Sequence, residues 1–173
     1  MKENAMPQPL AEAIRRIYGL LARIPDSLIA AIGRFSIAAV FWKSGQTKVE
    51  GFAIDLVDGV FQLGVPHLSS SAVDLFRDEY KVPVLDPQIA AVMSATAEHV
   101  FPMLLLVGLA TRPAAAALLG MTLVIQLFVY PGAYPTHGVW ITVLLFLIAR
   151  GPGVLSLDHL IARQYGAAQL ASK

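Results

Sequence analysis

There is no cysteine anywhere in the 173 residues. That absence removes disulfides, thiol redox relays, cysteine nucleophiles and thiolate metal sites, so any redox role must use a bound cofactor or a partner. Charge is scarce as well. Asp, Glu, Lys and Arg make up 14% of the chain, against about 25% in an ordinary soluble domain, and a water-exposed surface is hard to build from so few. A formal charge of +1, carried by scattered basic residues, argues against a nucleic-acid surface. The four histidines have no i,i+4 pairing and no nearby carboxylate ligands, so no metal centre is expected. No P-loop, dinucleotide fingerprint or serine nucleophile elbow is present either.

What the sequence does hold is hydrocarbon: 56% of residues are hydrophobic and the mean hydropathy is +0.63. The length suits a single domain. Apolar stretches at about residues 28–47, 88–110, 113–131 and 137–150 are read as four membrane-spanning helices, each to be compared with the ~20 residues that cross hydrocarbon. The fourth is strictly apolar only over residues 139–149, which is short, and it spans if Thr136, His137 and Gly138 lie within its first turn. The expected fold is all-α, an integral membrane antiparallel four-helix bundle. Amphipathic interfacial helices flank it. One covers about residues 9–24, with Leu10, Ile14, Ile17, Leu21 and Ile24 on one stripe, and the other is a tail at 156–173 capped by Ser156. The Pro25-Asp26-Ser27 break is expected to cap helix one.

Basic residues set the orientation. Lys2, Arg15, Arg16, Arg23, Arg112, Arg150, Arg163 and Lys173 fall on one side, against Lys48, Arg77 and Lys81 on the other. By the positive-inside rule this predicts a multi-pass membrane protein with both termini cytoplasmic. A cleaved leader is not expected, because Arg34 interrupts the first apolar run.

The outer segment, about residues 49–87, is too long for a simple connection. Ala53, Leu56, Val57 and Val60 fit one helical stripe, and Ser69 to Ser71 are placed to cap a second short helix running through Asp74 to Asp78. The segment is therefore expected to be partly helical. It is also acidic, with Glu50, Asp55, Asp58, Asp74, Asp78, Glu79 and Asp86, and would form a lid or a solvated cap over the bundle.

Ionisable groups inside hydrocarbon are costly, so each is a candidate for function. Arg34 lies about two turns into helix one and Glu98 near the middle of helix two. A long guanidinium on an antiparallel neighbour is expected to reach that carboxylate, either to fix helix register or to do chemistry. His99 points about 100° away from Glu98 and is read as a helix-to-helix hydrogen-bond partner. Pro102 removes the amide that would bond the Glu98 carbonyl and invites a kink. Ala91, Ser94 and Ala95 share the Glu98 side of helix two, where a neighbouring backbone can approach closely. In helix three, Thr122 and Gln126 share a face, and Gln126 is expected to bond across helices or line a pocket. Tyr134, His137 and Trp140 read as an aromatic group at the outer interface.

The stretches RFSIAAVFWKSGQTK (34–48), LFRDEYKVPVLDP (75–87), Glu98 and GLATRPAA (108–115) resemble, in that order, the DoxX family of small bacterial inner-membrane proteins. A helix-one arginine, an S-G-x-x-K ending, a helix-two glutamate and a G-x-x-T-R turn carry the likeness. FVYPGAYPTHGVW (128–140) and GPGVLSLD (151–158) resemble a subgroup of the same family. The resemblance implies a four-span bundle associated with redox work, notably quinone-reducing thiosulfate oxidation, or with oxidative-stress assemblies that use soluble partners. A covalently held sulfur does not fit a chain without cysteine. On this reading Arg34, Lys48, Glu98, His99, Gln126 and His137 form a buried charged cluster or pocket for a quinone or similar apolar molecule, with the lipid bilayer and a soluble redox partner as contacts. The alternatives are a proton or small-solute pathway carried by Glu98, and a membrane scaffold for a soluble partner.

Overall fold

The computed structural model describes residues 8–55 and 59–171. Four of its helices are long and apolar enough to cross a membrane: α2 (Asp26–Gln46), α4 (Pro87–Val107), α5 (Thr111–Val124, prolonged by a π-helical turn Ile125–Val129) and α6 (Tyr134–Arg150, preceded by a 3-10 turn Pro131–Ala133). Each covers 19 to 21 residues with its extension, or roughly 30 Å at ~1.5 Å per residue. They form a closed antiparallel ring in which α2 packs on α4 and α6, and α5 packs on α4 and α6. The end carrying Asp26, Gly108 and Arg150 is here termed the basic end, and the opposite one the hairpin end.

Burial runs opposite to that of a water-soluble bundle. The thin core contains Ala30, Ile37, Ala38 and Phe41 of α2, Leu105 of α4, Ala114, Ala115 and Leu118 of α5, and Leu144 and Leu147 of α6. Large apolar side chains face outward instead, among them Ile32, Phe35, Leu127 and Val139. Such a continuous exposed apolar belt would drive aggregation in water and is satisfied by lipid. The chain is a multi-pass integral membrane protein. Its sixth helix also spans by the expected route, since α6 starts at Tyr134 and takes in Thr136, His137 and Gly138.

The helix ends follow local chemistry. Asp86 caps α4 by accepting from the amides of Gln88 (2.9 Å) and Ile89 (3.3 Å), with Pro87 in the first turn. Gly108, at φ 70°, ends it. Ser156 caps α7 (Leu157–Ala171), its Oγ accepting from the His159 amide at 3.2 Å. The expected cap at Pro25-Asp26-Ser27 is corrected: α2 starts at Asp26 with no side-chain cap, and the Ser27 hydroxyl instead accepts from the Val154 amide at 3.2 Å. None of the residues of α1 (Gln8–Leu21) is buried, so its apolar stripe is left uncovered by the rest of the protein.

The segment after α2 departs from expectation. A β-hairpin, β1 (Val49–Asp55) paired antiparallel with β2 (Val60–Leu68), replaces the first predicted helix. Leu56, Val57 and Asp58 lie outside the described residues. The physical reason is in the glycines and the alternation. Gly51 sits at φ 81° at an irregularity in the register, where a Cβ would lie 2.6 Å from the Val65 carbonyl oxygen, and Gly59 sits at φ 66° beside the turn. In β2, Phe61, Leu63 and Val65 alternate and stand exposed. The second short helix is present as α3 (Ser70–Leu75), which continues as a π-helical turn Phe76–Tyr80, but the expected cap is corrected: Ser69 at its start makes no side-chain cap, and its Oγ donates to Glu50 Oε1 at 2.7 Å. Phe76 packs with Ala90 and Ala91, seating this short helix on the hairpin end of α4.

Candidate functional site: a buried ion pair under an apolar pocket

At the end of α2 the chain turns through Thr47, and Lys48 folds back over the last helical turn. Its Nζ donates to the Ser44 carbonyl (3.2 Å) and to Ser44 Oγ (3.0 Å), and lies 2.7 Å from Glu98 Oε2. Ser44 Oγ donates to Glu98 Oε1 (3.3 Å), as does Ser94 Oγ one turn before Glu98 (3.2 Å). Both charged side chains are 3% exposed. Glu98 lies eleven residues into α4, about 16 Å along the axis from Pro87, so the pair is well inside the span. Gly45 makes this approach possible, because a Cβ there would fall 3.0 Å from the Cβ of Glu98 and 2.9 Å from the His99 ring. The small side chains of Ala91 and Ala95 are buried on the same helix, as the sequence pattern anticipated.

Glu98 is thus paired with Lys48 and not with Arg34, which corrects the expected ion pair. Arg34 works at the basic end. Its Nη1 donates to the carbonyls of Leu105 (2.9 Å) and Leu106 (3.1 Å), and its Nη2 donates to the Leu155 carbonyl. Those first two are C-terminal carbonyls of α4, of which that of Leu105 also accepts from the Gly108 amide at 3.1 Å, and there a cation also meets the negative end of the helix dipole. Two residues beyond Gly108, the amides of Ala110 and Thr111 donate to the two oxygens of Asp158 at 2.8 and 2.9 Å, satisfying the start of α5. A Cβ on Gly108 would meet Arg34 Nη1 at 2.6 Å and Ser156 Cβ at 2.5 Å. The turn at 108–112 is therefore held between a guanidinium and a carboxylate, and its glycine is obligatory.

Two histidines act as cross-helix fasteners. His99 Nδ1 donates to the Ala95 carbonyl at 2.7 Å, which leaves Nε2 as acceptor for the Gln46 amide at 2.8 Å. This tautomer is assigned from the network. The Gln46 oxygen in turn accepts from the Ile54 amide at 2.7 Å, and Trp42 Nε1 donates to the Ile54 carbonyl at 2.9 Å, tying β1 to the bundle. The second pair joins α5 to α6: His137 Nδ1 donates to Gln126 Oε1 at 2.7 Å, and Gln126 Nε2 donates to the Pro131 carbonyl at 2.6 Å. The prediction of an interfacial aromatic group is corrected for one member. Tyr134 is exposed, whereas His137 is buried, its ring 4.9 Å from that of Trp140, which packs on Phe41 at 5.7 Å.

Between α4 and α5 a cavity of about 260 Å³ opens. Lys48, Glu98, Ser44 and Ser94 form its polar floor; Met93, Ala97, Met121 and Ile125 form its walls; Phe76, Tyr80 and Val82 roof it. Met93 and Val124 at its rim are exposed on the lipid-facing surface. The roof is fixed by ring contacts, Phe76 to Tyr80 at 4.9 Å and Tyr80 to Tyr130 at 5.7 Å, and by a hydrogen bond from Tyr130 Oη to the Glu79 carboxylate. Burial holds the Tyr80 phenol above its ordinary pKa, and the Glu79 carboxylate does the same for Tyr130.

Of the six predicted site residues, Lys48 and Glu98 line this pocket; Arg34, His99, Gln126 and His137 hold the bundle around it. Sequence reasoning missed Ser44 and Tyr80 as pocket residues and saw Ser94 only as a small packing residue. Ser44 stands four before Lys48 and Ser94 four before Glu98, the spacing that places both hydroxyls on the faces of the charged groups. Asp158 carried no comparable signal.

A four-helix multi-pass bundle with a serine-buffered lysine–glutamate pair inside it defines a small membrane protein with an internal polar site. The chain belongs to the DoxX family, whose model matches residues 29–131. That match takes in Arg34, Lys48, Glu98, the 108–112 turn and Gln126. No curated protein and no solved structure matches the chain.

Proposed function

We propose that this protein is the membrane subunit of a redox or oxidative-stress system of the bacterial inner membrane, and that the pocket between α4 and α5 receives the head group of a quinone. The observation that carries the reading is the pairing of an apolar, lipid-rimmed cavity with a buried, proton-bearing floor. Its volume, about 260 Å³, lies just below the ~300–1,000 Å³ range of drug-sized pockets and suits one substituted ring, with an isoprenoid tail left in the lipid.

A bound quinone supplies a two-electron, two-proton acceptor, and the electrons come from a soluble redox partner. The chain's own groups do the rest. Lys48 would donate to a ring carbonyl oxygen, and Glu98 balances its charge. Ser44 and Ser94 keep both heads aimed at the cavity floor. Tyr80 closes the site from the hairpin end and excludes water. The arginines of the basic end, Arg15, Arg16, Arg23, Arg112, Arg150 and Arg163, support an orientation with that end, and both termini, in the cytoplasm.

The test is binding of a short-tailed benzoquinone to the purified full chain in lipid nanodiscs, followed by quenching of tyrosine and tryptophan fluorescence. Saturable quenching is expected, weakened at least tenfold by Ala97→Phe, which fills the cavity and leaves the ion pair untouched. Quenching that stays linear with quinone concentration, or that Ala97→Phe leaves unchanged, rejects the reading.

A further inference from the structure

A second cavity, unrelated to the pocket above, opens at the basic end between the start of α5, the end of α6 and the start of α7. Its volume is about 590 Å³. Three of its lining side chains are cationic or become so on protonation: Arg112, Arg150 and His159. Its one carboxylate, Asp158, is directed at the Ala110 and Thr111 amides, which engage both its oxygens, and it makes no ion pair with either arginine. Arg150 has a loose contact to Asp26 at 3.7 Å, and among the described residues no carboxylate lies within ion-pairing distance of Arg112.

Arg112 packs against the backbone that follows α6. Gly151, at φ 83°, presents bare backbone to the guanidinium, and a Cβ there would fall 3.6 Å from Nη2 and 3.7 Å from Nε. The guanidinium thus lies along the chain turn that follows α6, on the same side as Arg150. Two guanidinium groups converging on one cleft match the geometry and charge of a phosphate group, which Arg binds through paired N–H donors.

The rim narrows the choice of ligand. Val154 lines the cleft and is exposed, and Leu155, Leu157, Leu160 and Ile161 beside it are also exposed. A cationic hollow edged by uncovered apolar side chains at the end of a membrane bundle fits an amphiphile with a phosphate head and hydrocarbon chains. We propose that this cleft is a binding site for an anionic phospholipid, with Arg112 and Arg150 holding the phosphate and the apolar residues around the start of α7 lying against its acyl chains.

The full chain, extracted in mild detergent and analysed by native mass spectrometry, tests this with three probes: phosphatidylglycerol, phosphatidylcholine and inorganic phosphate. Phosphatidylglycerol is expected to be retained about tenfold better than phosphatidylcholine. Arg112→Gln, which breaks no ion pair, should reduce that preference several-fold, and Arg112→Gln with Arg150→Gln should abolish it. Arg77→Gln, outside the cleft, should leave it intact. Equal retention of the two lipids, or a preference unchanged in the double variant, overturns the proposal. Competition by millimolar inorganic phosphate as effective as that by the lipid overturns the lipid assignment and makes the cleft a site for soluble phosphate.

Discussion

Lys48 Nζ and Glu98 Oε2 stand 2.7 Å apart with both side chains 3% exposed, while Ser44 and Ser94 both donate to the other carboxylate oxygen, Oε1, and Ser44 also accepts from Lys48. A pair buried this completely tolerates the loss of both partners better than the loss of one, because a single removal strands a charge in a low-dielectric interior. Glu98→Gln and Lys48→Met should each destabilise the protein by about 3–5 kcal/mol. The double variant Lys48→Met with Glu98→Met should recover most of that while losing quinone binding. Denaturant unfolding in micelles measures the first effect and fluorescence quenching the second. A double variant as unstable as the worse single one would mean that the pair's geometry is not what holds the helices.

Arg34 spans three carbonyls from two segments, a fork that an ammonium cannot reproduce. Arg34→Lys should therefore cost about 1.5–3 kcal/mol, the range for hydrogen bonds to a charged group. The loss should be local. Hydrogen exchange is expected to quicken at the turn 108–112 and at the start of α7, with the Lys48 and Glu98 region unchanged.

Gln46 links His99 to the Ile54 amide through its two ends. Gln46→Leu leaves a ring nitrogen and a backbone N–H unsatisfied, at about 1–3 kcal/mol for each group that stays buried. Faster exchange at Ile54 and Phe52, without loss of the four-helix bundle, is the expected signature. Protection unchanged at Ile54 would show that β1 is held without Gln46, by contacts such as those of Trp42 and of Lys43 with Asp55.

The Tyr130 phenol donates to the Glu79 carboxylate and is held above its ordinary pKa. The sign follows from which form the fold prefers. The protonated phenol is favoured in the folded chain, so its contribution to stability is complete below the unfolded value of about 10 and declines as pH rises from there toward the folded value. Phenolate absorbance should accordingly show late-titrating tyrosines in alkaline solution, of which Tyr130→Phe removes one. Protection of the roof residues 76–80, taken relative to the intrinsic base-catalysed exchange rate, should fall as pH rises over the same range in the wild type and stay level in Tyr130→Phe.

Much of this architecture is written in the sequence, because hydrocarbon imposes length and apolarity on every span. The four helices fall within a few residues of their predicted limits, and Ser69 and Ser156 stand where helices begin. The hairpin was less legible. Ala53, Leu56, Val57 and Val60 fit a helical period, and only the Asp58-Gly59 pair followed by the alternation of Phe61, Leu63 and Val65 marks a turn and strand. For the ion pair, depth misled. Arg34 and Glu98 both lie within spans, but a guanidinium is long enough to reach down to the helix ends at one side, and Lys48, nominally past the end of its helix, bends back into the bundle. Residue type and position along a span do not reveal which way a flexible side chain turns.

The two glutamine–histidine fasteners join α2 to α4 and α5 to α6. Among the described residues no hydrogen bond or ion pair joins α4 directly to α5, so along the seam that holds the pocket the two helices meet through methyl groups and thioethers, with the Tyr130–Glu79 bond above them at the hairpin end. Those two helices are also the pair connected by the tight turn at 108–110, clamped between Arg34 and Asp158. The bundle is thus built like a clothes-peg: two stiff arms, a sprung joint at the basic end, and jaws at the hairpin end. A lipid-soluble molecule arriving from the side would part the jaws against dispersion forces and the single Tyr130–Glu79 bond, with the glutamine–histidine stitching on either flank left whole.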